Sequence, residues 1–127
     1  MEIVVKKILV MTDIEGVTGV TTFPQAEKSE FGREMLMNDL CAVLEGIERA
    51  GAEAIVYDMH TDGRNVDIAR IDAPVVMGKP ILGELYRGVG KDFDGLFLLG
   101  LHTMQHTGHL LANQSAIRLS GCFHRFS

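Results

Sequence analysis

Two short apolar runs, Lys7 to Met11 (KILVM) and Ala54 to Asp58 (AIVYD), flank a stretch from about Ser29 to Ala50 in which Met35, Leu36, Leu40, Val43, Leu44 and Ile47 recur at helical spacing. Gly51 stands where a helix-terminating glycine is expected. A strand, a helix of that length and a second strand imply a right-handed parallel crossover, which commits the chain to an α/β architecture. Gly95 to Leu101 (GLFLLGL) is apolar without alternation, the pattern of a strand covered on both faces, and is expected near the middle of the sheet. Pro74 to Met77 (PVVM) reads as a further strand, followed by a short amphipathic stretch, Ile81 to Tyr86, of helical character. Leu110 to Ala112 and Ala116 to Leu119 read equally as short strands or as one helix. The expected fold is a layered αβα domain with an open, mostly parallel sheet. With 127 residues, no internal repeat and no linker, residues 1–127 are expected to form one domain.

Composition removes several function classes. A net charge of −5 and the lack of any lysine or arginine run argue against nucleic-acid binding, which needs a basic patch to neutralise phosphates. No stretch approaches the roughly 18 to 20 apolar residues needed to span a bilayer, so no membrane segment is expected. Glu2 opens the chain, and Lys6 and Lys7 divide its first apolar residues, so the N-terminus reads as a strand and not as a signal peptide. Cys41 and Cys122 form no CxxC, which suits free thiols in a cytoplasmic protein better than a disulfide framework.

In an open parallel sheet, ligands bind beyond the carboxyl ends of the strands, where loops converge and helices do not block access. That rule selects Asp13 and Glu15 after the first strand, Asp58 and His60 after the second, and His102 after GLFLLGL. Asp13 and Glu15, like Asp58 and His60, are spaced i, i+2, so both members of a pair project the same way if the strand persists. A lone Asp after a strand, such as Asp58, is more often a turn former or helix cap than a ligand. Two acids beside glycines repel each other unless a cation or base lies between them. His102, directly after a run that should be buried, is costly to place without a partner. Carboxylates mixed with imidazoles suit zinc, manganese, cobalt or iron better than calcium or magnesium, with zinc the default. With Asp13 bridging two ions, such a site would activate a water and polarise a carbonyl, the logic of metal-assisted amide hydrolysis.

These residues carry a resemblance. Thr12 to Gly19 (TDIEGVTG) is similar to the opening metal motif of the DppA-type D-aminopeptidases, matching at Asp13 and Glu15. Val56 to His60 (VYDMH), followed by Asp62 and Asn65, resembles the segment that places a ligand histidine after the second strand, and His102 in LLGLH matches a further ligand histidine. The similarity runs from Ile8 to about Ser115. It implies a cytoplasmic, homo-oligomeric, zinc-dependent aminopeptidase that hydrolyses short peptides with an N-terminal D-residue, D-Ala peptides above all. Its metal ligands would be Asp13, Glu15, His60 and His102, with two zinc ions in the family and one or two here.

The chain departs from the family pattern twice. Aligning Leu111 to Ser115 (LANQS) puts Gln114 where the family has its catalytic histidine, and glutamine cannot shuttle a proton at neutral pH. His106 and His109 are nearby substitutes, although they read equally as solvated loop histidines. The family also supplies a further Glu ligand from beyond this region, whereas no Asp or Glu follows Asp94. Residues 116–127 do not resemble the family's continuation, so the chain reads as shortened at its C-terminus. A second reading is therefore a metal-binding, oligomerising relic without turnover. A third, suggested by the loose similarity of DxEG to DxDGT, is a haloacid-dehalogenase-like phosphotransferase; it needs Asp in place of Glu15 and does not use His60 or His102.

Overall fold

The computed structural model describes residues 4–27, 29–79 and 92–102. Within them, strand β1 (Lys7–Thr12), helices α1 (Phe23–Ala26) and α2 (Glu30–Arg49), and strands β2 (Glu53–Asp58), β3 (Val75–Val76) and β4 (Gly95–Leu99) follow in chain order. The strands form one sheet in the order β3-β2-β1-β4, and each neighbouring pair is parallel. This is the α/β fold expected. The strand order reverses at β1, because the chain moves outward from β1 to β2 and β3 and then returns to the other side of β1 for β4. Such a reversal parts the loops above adjacent strands and opens a crevice there.

Local chemistry accounts for the elements. Ser29 caps α2 by accepting from the Gly32 N–H at 2.9 Å, Glu30 lies at its positive end and Arg49 at its negative end. Gly51, at φ +74°, ends the helix with hydrogen bonds from its own N–H to Glu48 and from Ala52 to Ile47. The apolar stripe of α2 buries Leu36, Met37, Leu40 and Ile47 against Ile8, Val10, Val56 and Leu99 of the sheet. The opposite face of the sheet buries Leu9, Met11 and Tyr57 with Leu96 and Leu98 around them. Both faces of β1 are thus enclosed, and Leu9, Val10 and Thr12 are fully buried.

Three details differ from the sequence expectation. Among the described residues β4 pairs only with β1 and lies at the end of the sheet, with its middle residues half-buried, and it is β1 that takes the central place. The strand expected over PVVM is ordered as strand only at Val75 and Val76. Helix α1 was not anticipated. Its sequence nevertheless carries a capping box, in which Thr22 and Gln25 satisfy each other's backbone N–H groups, and a proline in the first turn. The expected helix at residues 81–86 and the elements expected at 110–112 and 116–119 lie outside the described residues.

Candidate metal centre

Asp13, Glu15 and His60 meet at the carboxyl edge of the sheet. Each offers a ligand atom within 4.8 Å of the other two. For Asp13 and Glu15 the i, i+2 argument reaches the right outcome through a different conformation, because β1 ends at Thr12 and both lie in the turn that follows; for Asp58 and His60 it fails, since Asp58 turns to Asn65 and Val66 while His60 faces Asp13. That turn is tied to β4: the Asp13 N–H donates to Leu99 O and the Gly16 N–H to Gly100 O, both at 2.8 Å. Side chains at either glycine would forbid this approach. A Cβ on Gly16 would strike the Leu101 carbonyl, and one on Gly100, whose φ is +72°, would strike the Asp13 carbonyl and Val17. The same contact carries His102 toward the centre, with Nε2 at 3.6 Å from Asp13 Oδ2.

His60 is 3% exposed, and both of its ring nitrogens are engaged. Nε2 lies 2.9 Å from the Ala26 carbonyl oxygen, which can only accept, so this nitrogen carries hydrogen whatever the charge on the ring. Nδ1 is therefore the atom that titrates. It sits 2.8 Å from Asp13 Oδ1 and 3.3 Å from Glu15 Oε2. The longer separation is an ion-pair contact; Glu15 Oε2 is buried and makes no hydrogen bond among the described residues. Ala26, at the end of α1, is a functional contact that the sequence reading missed, and the T-x-x-Q box of Thr22 and Gln25 was the signal that a helix begins just before it.

Charge is unevenly held across the cluster. Burial pushes the His60 imidazole toward neutrality, but hydrogen bonding to Asp13 and the negative charge of both acids prevail and raise it to about 10. Burial raises the carboxyl of Asp13, and the neighbouring Glu15 adds to this while His60 opposes it. Burial acts upward on Glu15 too, yet His60 and Asp13 outweigh it and hold that carboxyl at about 2. The proton on His60 Nδ1 thus acts as the positive charge between two buried acids.

The donor set fits a transition metal. Two carboxylates and an imidazole nitrogen converge, one buried oxygen has no hydrogen bond, and a second imidazole, His102, stands at the more exposed side with 43% of its side chain accessible. Asp58 does not join them; its carboxylate accepts from the N–H groups of Asn65 and Val66 and from the Asn65 side chain. A groove of about 930 Å³ between α2 and the β1–β4 edge, lined by Ile8, Val43, Ile47, Phe97 and Leu99 among others, includes none of the candidate ligands. His106, His109 and Gln114 lie outside the described residues.

A parallel sheet that gathers acids and imidazoles beyond its strand ends, where the strand order reverses, defines an α/β protein suited to hold a cation in that crevice. The chain belongs to the D-aminopeptidase family of peptidases, whose sequence profile matches residues 6–118. No curated protein matches the sequence. The fold is similar to that of the Zn-dependent D-aminopeptidase DppA from Bacillus subtilis, described as a self-compartmentalizing protease, with a TM-score of 0.71 and 21% identity. That similarity covers 80% of this chain and 39% of DppA, so the chain spans well under half the length of the protein it matches. The family match displaces the phosphotransferase reading. Among the described residues no helix is long and apolar enough to cross a membrane.

Proposed function

We propose that the chain is a zinc-dependent aminopeptidase of its family, that Asp13, Glu15, His60 and His102 are its metal ligands, and that its substrates are short peptides with an N-terminal D-residue of the D-Ala type. The observation that carries the proposal is the convergence of Asp13, Glu15 and His60 around a buried carboxylate oxygen that has no hydrogen bond among the described residues. Two buried acids side by side are expensive, and a divalent cation offsets that cost better than one proton does. A zinc ion bound there supplies Lewis acidity, polarising the scissile carbonyl and making a water more acidic.

The protein's own groups prepare this chemistry. Asp13 and Glu15 provide the negative charge that draws a cation in, and His60 presents Nδ1 while Ala26 O holds Nε2–H and so fixes the ring and its tautomer. His102, with Nε2 3.6 Å from Asp13 Oδ2 on the accessible side, would complete the ligand set. Homo-oligomeric assembly belongs to the same reading, supported by the self-compartmentalizing character of the similar DppA. The test is release of D-Ala from D-Ala-D-Ala by the zinc-loaded chain, abolished by a chelator and restored by zinc.

A second reading has its own support. In the alignment that the resemblance implies, Gln114 falls where the family has its catalytic histidine, and a glutamine there, which cannot shuttle a proton, favours a metal-binding relic without turnover. Stoichiometric zinc with no released D-Ala decides for the relic, and hydrolysis decides for the peptidase.

A further inference from the structure

Asp58 is fully buried, and it ends β2 two residues before His60. Its Oδ2 accepts from the Asn65 N–H at 2.6 Å and the Val66 N–H at 2.8 Å, and its Oδ1 accepts from Asn65 Nδ2 at 3.0 Å. The same Nδ2 donates to the His60 carbonyl at 2.6 Å, an acceptor it shares with the Gly63 N–H at 2.8 Å. The segment from His60 to Val66 is thereby drawn into a closed loop around one carboxylate. The closure is tight: Thr61 is held at φ 47°, a left-handed conformation that a β-branched residue rarely adopts. A Cβ on Gly63 would come within 2.9 Å of the Asp58 carbonyl.

We propose that Asp58 and Asn65 are positioning residues of the metal centre, gripping the backbone of His60 so that its Nδ1 is aimed between Asp13 and Glu15 before any cation arrives; this rests on the ligand assignment proposed above. Two restraints act on His60 from opposite ends. The loop holds its carbonyl through Asn65 Nδ2 and Gly63 N–H, and Ala26 O holds its Nε2. With both ends restrained, the ring has little freedom left to turn away from the acids. Neither Asp58 nor Asn65 is a ligand in this scheme. A tight strand-to-loop turn alone does not call for a side chain that bridges the buried carboxylate to the carbonyl of the candidate ligand.

The test measures zinc affinity of the full chain by competition with a chromophoric chelator, with the visible absorption of the cobalt-loaded protein as a second readout of ligand geometry. Asn65→Ala is expected to keep the parent's circular dichroism, to bind zinc about 10- to 100-fold more weakly and to shift the cobalt bands. Arg70→Ala, which removes only the surface pair with Glu34, is expected to match the parent on both readouts. A folded Asn65→Ala protein with zinc affinity and cobalt bands like the parent's overturns the positioning role and leaves the metal centre standing. If Asn65→Ala does not fold, Asn65→Ser is read by the same criteria, since its short hydroxyl cannot span both acceptors. A parent that binds neither ion overturns the ligand assignment and this proposal together.

Discussion

Asp13 and Asp58 stand at neighbouring strand ends, yet their buried carboxylates are treated in opposite ways. The register pairs Thr12 with Asp58, so Asp13 lies one residue beyond the same level of the sheet. Asp58 is met by backbone and amide N–H groups from its own loop, and the local chain is folded around it. Asp13 has one backbone donor, Ile14 N–H, and otherwise faces a second acid and two histidines. A buried carboxylate satisfied by N–H groups is a structural element; one left facing another carboxylate is a demand for positive charge. The contrast separates the residue that shapes the loop from those that would hold an ion.

The largest effect expected from breaking the contrast is on metal content. Asp13→Ala should remove stoichiometric zinc, measured by atomic emission after dialysis, and zinc retained at the parent level would contradict the ligand assignment. Asp58→Ala should act on folding instead. It strands buried N–H donors, and the loss of unfolding free energy in a urea titration should be about 3 kcal/mol. A loss no greater than that of a surface substitution would show that the loop does not depend on Asp58.

Acid and base sharpen the comparison further. His60 has a folded value of about 10 against an ordinary 6.5, so its proton stabilises the metal-free fold fully below pH 6.5, and that contribution is lost as pH rises through 10. Glu15, held at about 2 against 4.5, contributes above pH 4.5 and loses its share as pH falls through 2. The melting temperature of the metal-free protein should therefore decline between pH 7 and 10, and His60→Gln should flatten that decline; an equal slope in both proteins would locate the titration elsewhere. The smallest effect is expected from Asp62→Ala, which lies in the same loop but outside the cluster. Among the described residues its carboxylate meets only Thr61 and the Arg64 N–H at an exposed position, so zinc content should be unchanged and stability should move by about 0.5 kcal/mol or less.

Much of this arrangement is written in local patterns. The helical spacing from Met35 to Ile47 and the glycine at position 51 define α2, and KILVM and AIVYD define the central strands, because burial of an apolar stripe or run leaves few alternatives. Asp13, Glu15 and His60 were recognisable from strand-end placement, and their meeting follows from β1 and β2 being parallel neighbours. The proposed substrate class and subunit arrangement rest on family resemblance, since neither spacing nor composition encodes them.

What the sequence determined by itself was the parallel sheet and the set of polar residues carried to its carboxyl edge, because strand and helix periodicities are local and the parallel crossover follows from their order. Tertiary structure decided the rest: that β1 and not GLFLLGL is central among the described strands, that Asp58 turns inward to its own loop, and that Ala26 O leaves Nδ1 of His60 to face the acids. Those outcomes depend on contacts between residues far apart in the chain, such as Ala26 with His60 and Gly16 with Gly100. No local pattern fixes which hydrogen bond a buried polar group will make when several partners compete for it.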